Sequence, residues 1–165
     1  DVDFSRDGQW VTYVEFPEGT VWRSKVDGSE RLQLTFPQLG VILPRWSPER
    51  KRIAFMGQTP GKPWKIYLVS AEGGAPQQLI ADEREETDPQ WSPDGNQLLF
   101  GRWPASPSEP VALHLLDLKT SQVSTVPGSE GLVSSRWSRD GRYAVTMKDE
   151  SRKLVLFYFK THRQV

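Results

Sequence analysis

Apolar residues in this chain come in short bursts separated by turn residues, and the bursts themselves recur. Trp91-Ser92-Pro93-Asp94-Gly95 opens one such unit. Phe4-Ser5-Arg6-Asp7-Gly8, Trp46-Ser47-Pro48-Glu49-Arg50 and Trp137-Ser138-Arg139-Asp140-Gly141 are its copies. The leading aromatics stand 42, 45 and 46 residues apart. A fixed period of this length, built from strands alone, points to the four-stranded propeller blade. Seven residues past each leading aromatic come Val11, Ile53, Leu98 and Ala144; nine past come Tyr13, Phe55, Phe100 and Thr146. A spacing of two puts each such pair on one face of a strand. The residues between them, Thr12, Ala54, Leu99 and Val145, are mostly apolar too, which predicts strands buried on both faces.

Before each of these strands the Ser-Pro-Asp-Gly pattern suits a tight turn. Proline presets φ, aspartate bonds nearby backbone and glycine accepts positive φ. Glu49-Arg50 replaces Asp-Gly in the second unit, so a retained turn puts Arg50 in the left-handed region at a cost of about 1 kcal/mol. Variable polar loops follow at 17–19, 58–63, 104–110 and 148–153. A third strand then holds Val21-Trp22, Ile66-Tyr67-Leu68-Val69, Leu113-His114-Leu115-Leu116 and Leu154-Val155-Leu156-Phe157. A fourth includes Leu34, Leu79 and Val126, each 12 residues past Trp22, Tyr67 and His114. The fold class expected is all-β: a propeller of four-stranded antiparallel blades, about four in this chain, with the ring incomplete or closed by a second copy. The blades fall at about 1–36, 37–81, 82–128 and 129–165, the last lacking most of its outer strand because the same register would carry it past Val165. Open strand edges invite pairing, so self-association through blade edges is expected.

Composition narrows function mainly by exclusion. Lysines and arginines number 21 and aspartates and glutamates 21, for a net charge of zero. Nucleic-acid binding through a broad basic footprint is therefore disfavoured. The chain has no cysteine, which removes disulfides and thiol chemistry. No apolar run reaches the length of a membrane-spanning helix. The opening Asp1-Val2-Asp3-Phe4 is unlike a signal peptide, although a leader could have been removed or lie upstream.

The segment 91–100, with 66–79, resembles the repeat of TolB-type, WD40-like (PD40) bacterial propellers, and the resemblance runs from Phe4 to the end of the chain. It implies a non-catalytic scaffold that binds a protein or peptide, in a fragment of a longer protein, and leans toward an extracytoplasmic site. Members of the family also include propellers attached to prolyl-oligopeptidase-like peptidases, so a peptidase module whose catalytic domain lies outside this chain is an alternative. A structural fragment with no activity of its own is another. The Gly-His and Trp-Asp signatures of eukaryotic WD40 blades are absent.

No catalytic, cofactor or metal site is expected. Gly128-Ser129-Glu130-Gly131 lacks the Gly-x-Ser-x-Gly spacing of a nucleophile elbow. The glycines near 57–61 and 73–74 lack the lysine and helix of a phosphate loop. His114 reads as a packed, hydrogen-bonded strand residue and His162 as a solvated turn residue. The acidic run 82–88 joins one outermost strand to the next innermost strand, where propellers border a channel mouth. Glu85, Glu86 and Asp88 there could receive a cation or a basic peptide; a solvated loop is the plainer reading. Arg45 and Arg136, directly before Trp46 and Trp137, are candidate carboxylate anchors at the same mouth or braces between blades. Phe4, Asp7, Gly8, Trp46, Trp91, Asp94, Gly95, Trp137, Asp140 and Gly141 define the repeat and are structural.

Overall fold

Each repeat opens with a turn held by its own side chains. Ser5 Oγ donates to Asp7 Oδ1 at 2.6 Å, Asp7 accepts from the Gln9 amide, and Ser5 Oγ accepts from the Trp10 amide. Ser92 and Asp94, at 2.6 Å, and Ser138 and Asp140, at 2.7 Å, repeat the arrangement. These bonds favour the ionised carboxylate. The Ser138 hydroxyl, then the Arg142 amide and guanidinium, hold the Asp140 carboxyl at about 2, and Asp7 and Asp94 are lowered for the same reasons. Gly8, Gly95 and Gly141 sit at φ +70°, +74° and +73°. Arg50 takes that position in the second repeat at φ +64°, as the pattern predicts. Glu49 accepts from Arg52 Nε at 2.8 Å, and the Arg50 guanidinium pairs with Asp7 of the first turn.

The computed structural model describes residues 1–148 and 153–165. Its elements are all strands, sixteen among the described residues: β1 (Val2–Phe4), β2 (Trp10–Glu15), β3 (Thr20–Lys25), β4 (Leu32–Gln33), β5 (Gly40–Trp46), β6 (Arg52–Gln58), β7 (Lys65–Ser70), β8 (Gln77–Gln78), β9 (Glu86–Trp91), β10 (Gln97–Arg102), β11 (Leu113–Asp117), β12 (Val123–Thr125), β13 (Leu132–Trp137), β14 (Tyr143–Lys148), β15 (Leu154–Tyr158) and β16 (Arg163–Gln164). They form four separate four-stranded sheets, each an antiparallel meander in chain order. The cross-strand register repeats: Tyr13 opposes Trp22, Phe55 opposes Tyr67, Phe100 opposes His114 and Thr146 opposes Val155.

The chain divides into two compact units, Asp1–Glu83 and Arg84–Val165, each holding two sheets. In the first, β5 of the second sheet lies against β1, β2 and β3 of the first sheet; in the second, β13 lies against β9, β10 and β11. The first seam encloses Val21, Leu34, Val41, Trp46, Ile53 and Phe55. The second encloses Leu99, Leu113, Val126, Leu132, Ala144 and Phe157. Burying such side chains contributes about 1.5–3 kcal/mol each, and these layers hold each pair of sheets together.

Two expectations need correction. The outer strand expected to be mostly missing from the last blade is present as β16, as long as β4 and β8. A short turn at 159–162 reverses the chain early, so that Tyr158 pairs with Arg163 and Phe157 with Gln164. Burial on both faces holds for the middle of β6 and β10, where Ala54 and Leu99 are fully buried, but Val145 of β14 is 40% exposed. The leading aromatics also differ: Trp46 and Trp91 are buried, Trp137 is half-buried and Phe4 is 59% exposed. The polar loop expected at 148–153 falls mostly on 149–152, outside the described residues.

Candidate functional site

The innermost strands β5, β9 and β13 share a defect that the hydrophobic pattern did not announce. In each, pairing with the next strand shifts register shortly before the tryptophan. Three residues before that tryptophan stands a non-glycine residue in the left-handed region: Leu43 at φ +52°, Asp88 at +48° and Ser134 at +50°. Each costs of order 1 kcal/mol. A bulge of this kind bends the strand and re-aims the side chains around it. The sequence did carry a sign of it in Leu43-Pro44 and Asp88-Pro89, because a proline inside a central strand marks a bulge.

The bulges set the candidate residues. Arg45 and Arg136 occupy the same place, and each donates through Nη1 to the carbonyl just before it, Pro44 O at 3.0 Å and Ser135 O at 2.8 Å. Arg136 also donates to Asp88 Oδ2 at 2.8 Å. Its side chain is half exposed while that of Asp88 is largely buried, so the carboxylate anchors a guanidinium that still faces water. Ser135 Oγ, on the residue before Arg136, and Gln90 Nε2, two residues past Asp88, are buried and make no hydrogen bond within the described structure.

The acidic run is divided by its surroundings. Asp82 receives the buried Lys65 ammonium, on its backbone carbonyl at 2.8 Å and its carboxylate at 3.1 Å. Asp82 and Glu83 border a groove of about 220 Å³ with Lys65, Tyr67 and Gln78. The Glu85 carbonyl accepts from the Trp103 amide at 3.2 Å. Glu86 is fully buried, 3.7 Å from the Arg102 guanidinium. Within the second unit, then, Asp88 and Arg136 are brought together, while Glu86 is directed elsewhere. Arg45 belongs to the first unit.

His114 packs as its register predicted. It is buried, tilted against Phe100 with ring centres 5.8 Å apart, and 3.3 Å from Thr125 Oγ1 through Nδ1. Burial, then the charges of Arg102 and Arg84, lowers its pKa to about 4, so the ring is neutral at pH 7. Among the described residues no cluster of three or more histidines and carboxylates is placed to hold a metal ion. No described helix is long and apolar enough to cross a membrane.

Stacked four-stranded meanders, begun at an inner bulged strand and repeated every 42 to 46 residues, define a β-propeller repeat protein. The TolB β-propeller domain (PD40) model matches residues 2–164, and the chain belongs to that family. Its fold is similar to that of TolB from Acinetobacter baumannii, with a TM-score of 0.81 and 18% identity over 99% of this chain and 42% of that one. The uncharacterized peptidase YuxL of Bacillus subtilis is 38% identical over 56 residues, 34% of this chain and 8% of its own length. An uncharacterized protein of Agrobacterium fabrum is 26% identical over 113 residues, 61% of this chain and 39% of its own. The chain thus spans less than half the length of each of these relatives.

Proposed function

We propose that the chain is a non-catalytic propeller module that binds a protein or peptide through the bulged ends of its inner strands. The observation that carries this reading is the Asp88–Arg136 pair. A half-exposed guanidinium is fixed by a largely buried carboxylate, and the nearby chain residues Gln90 and Ser135 each carry a buried polar atom that makes no hydrogen bond. Strained backbone and unsatisfied polar groups gather where a protein meets a ligand. A fixed guanidinium favours a carboxylate-bearing partner, because its planar fork matches that group. Selection of a random peptide display library on the immobilised chain tests this. Enriched peptides should be rich in aspartate and glutamate, and Arg136→Ala should weaken their binding by about tenfold, which corresponds to about 1.4 kcal/mol. No enrichment, or enrichment indifferent to Arg136, would contradict it.

The stretch shared with YuxL favours a second reading, in which the module accompanies a peptidase domain encoded elsewhere in a longer chain. A Gly-x-Ser-x-Gly segment in the adjoining coding sequence would promote that reading over the first.

A further inference from the structure

Both units carry the same feature on the earlier sheet of their seam. Twelve residues past the leading aromatic stands a second aromatic followed by proline: Phe16-Pro17 in the first sheet and Trp103-Pro104 in the third. Phe16 is 67% exposed and Trp103 59%. The second sheet carries Gln58 at that place, so the strand end does not itself require an aromatic. Tryptophan is highly buried on average, which makes Trp103 the more telling of the two.

The position has a direction. Pairing of β10 with β11 is regular, so Leu99, Gly101 and Trp103 fall on one face of the third sheet. Leu99 lies in the seam with the fourth sheet, and Trp103 continues that face beyond the covered core. Gly101 opposes Thr87, the residue before Asp88, and the Asp88 carboxylate crosses the same seam to Arg136. Two residues of strand, about 7 Å, separate Gly101 from Trp103. The first seam repeats the layout. Val14 opposes Val21 of that seam's core, Phe16 follows Val14 on the same face, and β5 across the seam carries Arg45.

The backbone under the indole is fixed in advance. The Trp103 amide donates to the Glu85 carbonyl at 3.2 Å, and the Trp103 carbonyl accepts from Arg84 Nη2 at 3.1 Å. Arg84 Nη2 also donates to Glu109 Oε1 at 2.8 Å, and Glu109 Oε2 accepts from the Ala105 amide at 2.6 Å. Pro104, Pro107 and Pro110 restrict the same loop. A side chain on such a backbone loses little freedom when it meets a ligand, and tryptophan and arginine are the residues that most often carry binding energy.

We infer that Trp103 is the second contact of the site at Asp88 and Arg136, and that the ligand is a peptide with an apolar side chain two to four residues from its acidic one. The inference rests on the reading of Arg136 as a carboxylate anchor. The guanidinium takes the carboxylate and the indole takes the apolar side chain. Two to four residues of extended peptide advance about 7–13 Å, which matches the span from the ion pair to the indole.

The test uses fluorescein-labelled octapeptides of serine and glycine that carry either one aspartate alone or one aspartate and one leucine at each possible spacing. They are titrated with the chain and read by fluorescence polarisation. Leucine two to four residues from the aspartate should tighten binding about tenfold over aspartate alone. Trp103→Gln, which installs the residue of the second sheet, should abolish that gain, and Trp103→Phe should keep most of it. Thermal melting by circular dichroism should be unchanged in both, because the side chain is exposed. Arg136→Ala should weaken all the acidic peptides alike. A leucine gain that is absent, indifferent to spacing or retained in Trp103→Gln would overturn the inference, while aspartate-dependent binding that needs Arg136 would leave the first reading standing. Absence of any aspartate-dependent binding would remove that reading and this inference with it.

Discussion

The two seams have one apolar plan and different polar fastenings. Both bury the inner strand of one sheet against the face of another, and both repeat a backbone link from the loop before a third strand to the next inner strand. In the first seam Val41 N donates to Gly19 O at 3.1 Å; in the second Gly131 N donates to Val111 O at 2.7 Å. Most of the side-chain links differ, although Asp1 and Asp88, each three residues before a leading aromatic, both accept from the next inner strand. The first seam has Arg23 reaching the Ala71 carbonyl and Glu72, Asp3 accepting from the Trp46 amide at 2.7 Å, Asp1 accepting from the Leu43 amide at 3.1 Å, and the Arg50–Asp7 pair. The second is bridged by Asp88 and Arg136. Apolar register and backbone geometry are thus common to the repeats, while most polar contacts differ from seam to seam.

If that division is right, the largest losses should be alike in the two seams. Phe55→Ala and Phe157→Ala each empty a fully buried aromatic site and should each cost about 3–5 kcal/mol in urea unfolding. Acid should next set the units apart. Tyr67 and His114 hold the same register position opposite Phe55 and Phe100, with a phenol in one unit and an imidazole in the other. The folded pKa of His114, about 4, lies below the unfolded 6.5. The unfolded chain therefore takes up the proton first. Stability is full above about pH 6.5 and falls by up to about 3 kcal/mol as the pH drops to 4. Replacing His114 by tyrosine should flatten the pH–stability curve across that window, read by thermal melting.

Polar links should give smaller and unequal effects. Arg23→Ala removes a buried guanidinium stacked 4.4 Å from the centre of Trp10 and leaves the Ala71 carbonyl without that donor, for a loss of about 1–3 kcal/mol. Asp88→Asn breaks a pair whose arginine is half exposed and should cost no more than about 1 kcal/mol. Arg50→Gly is the smallest change. Relief of the left-handed backbone contributes about 1 kcal/mol, and loss of the exposed pair with Asp7 offsets part of it, so the melting temperature should rise slightly or stay level.

The same division explains what could be read in the chain beforehand. The repeat period, the paired positions seven and nine past each aromatic, and the packing of His114 within its strand were legible because strand periodicity records burial directly. The left-handed Arg50 followed from turn chemistry. The bulges at Leu43, Asp88 and Ser134 were not foreseen: alternation says nothing of an inserted residue, and only Pro44 and Pro89 hinted at one. The pairing of Asp88 with Arg136 joins residues 48 positions apart, and the burial of Glu86 against Arg102 depends on how β9 and β10 align. Neither is encoded in local spacing. The outer strand β16 was misplaced because a four-residue turn broke the 12-residue register.

One comparison tests the register rule most directly. Phe4 and Trp46 hold the same repeat position, one 59% exposed and the other 7%. Urea unfolding of Phe4→Ala and Trp46→Ala should show a loss of about 3–5 kcal/mol for Trp46 and less than about 0.5 kcal/mol for Phe4. Comparable losses at the two positions would contradict the rule.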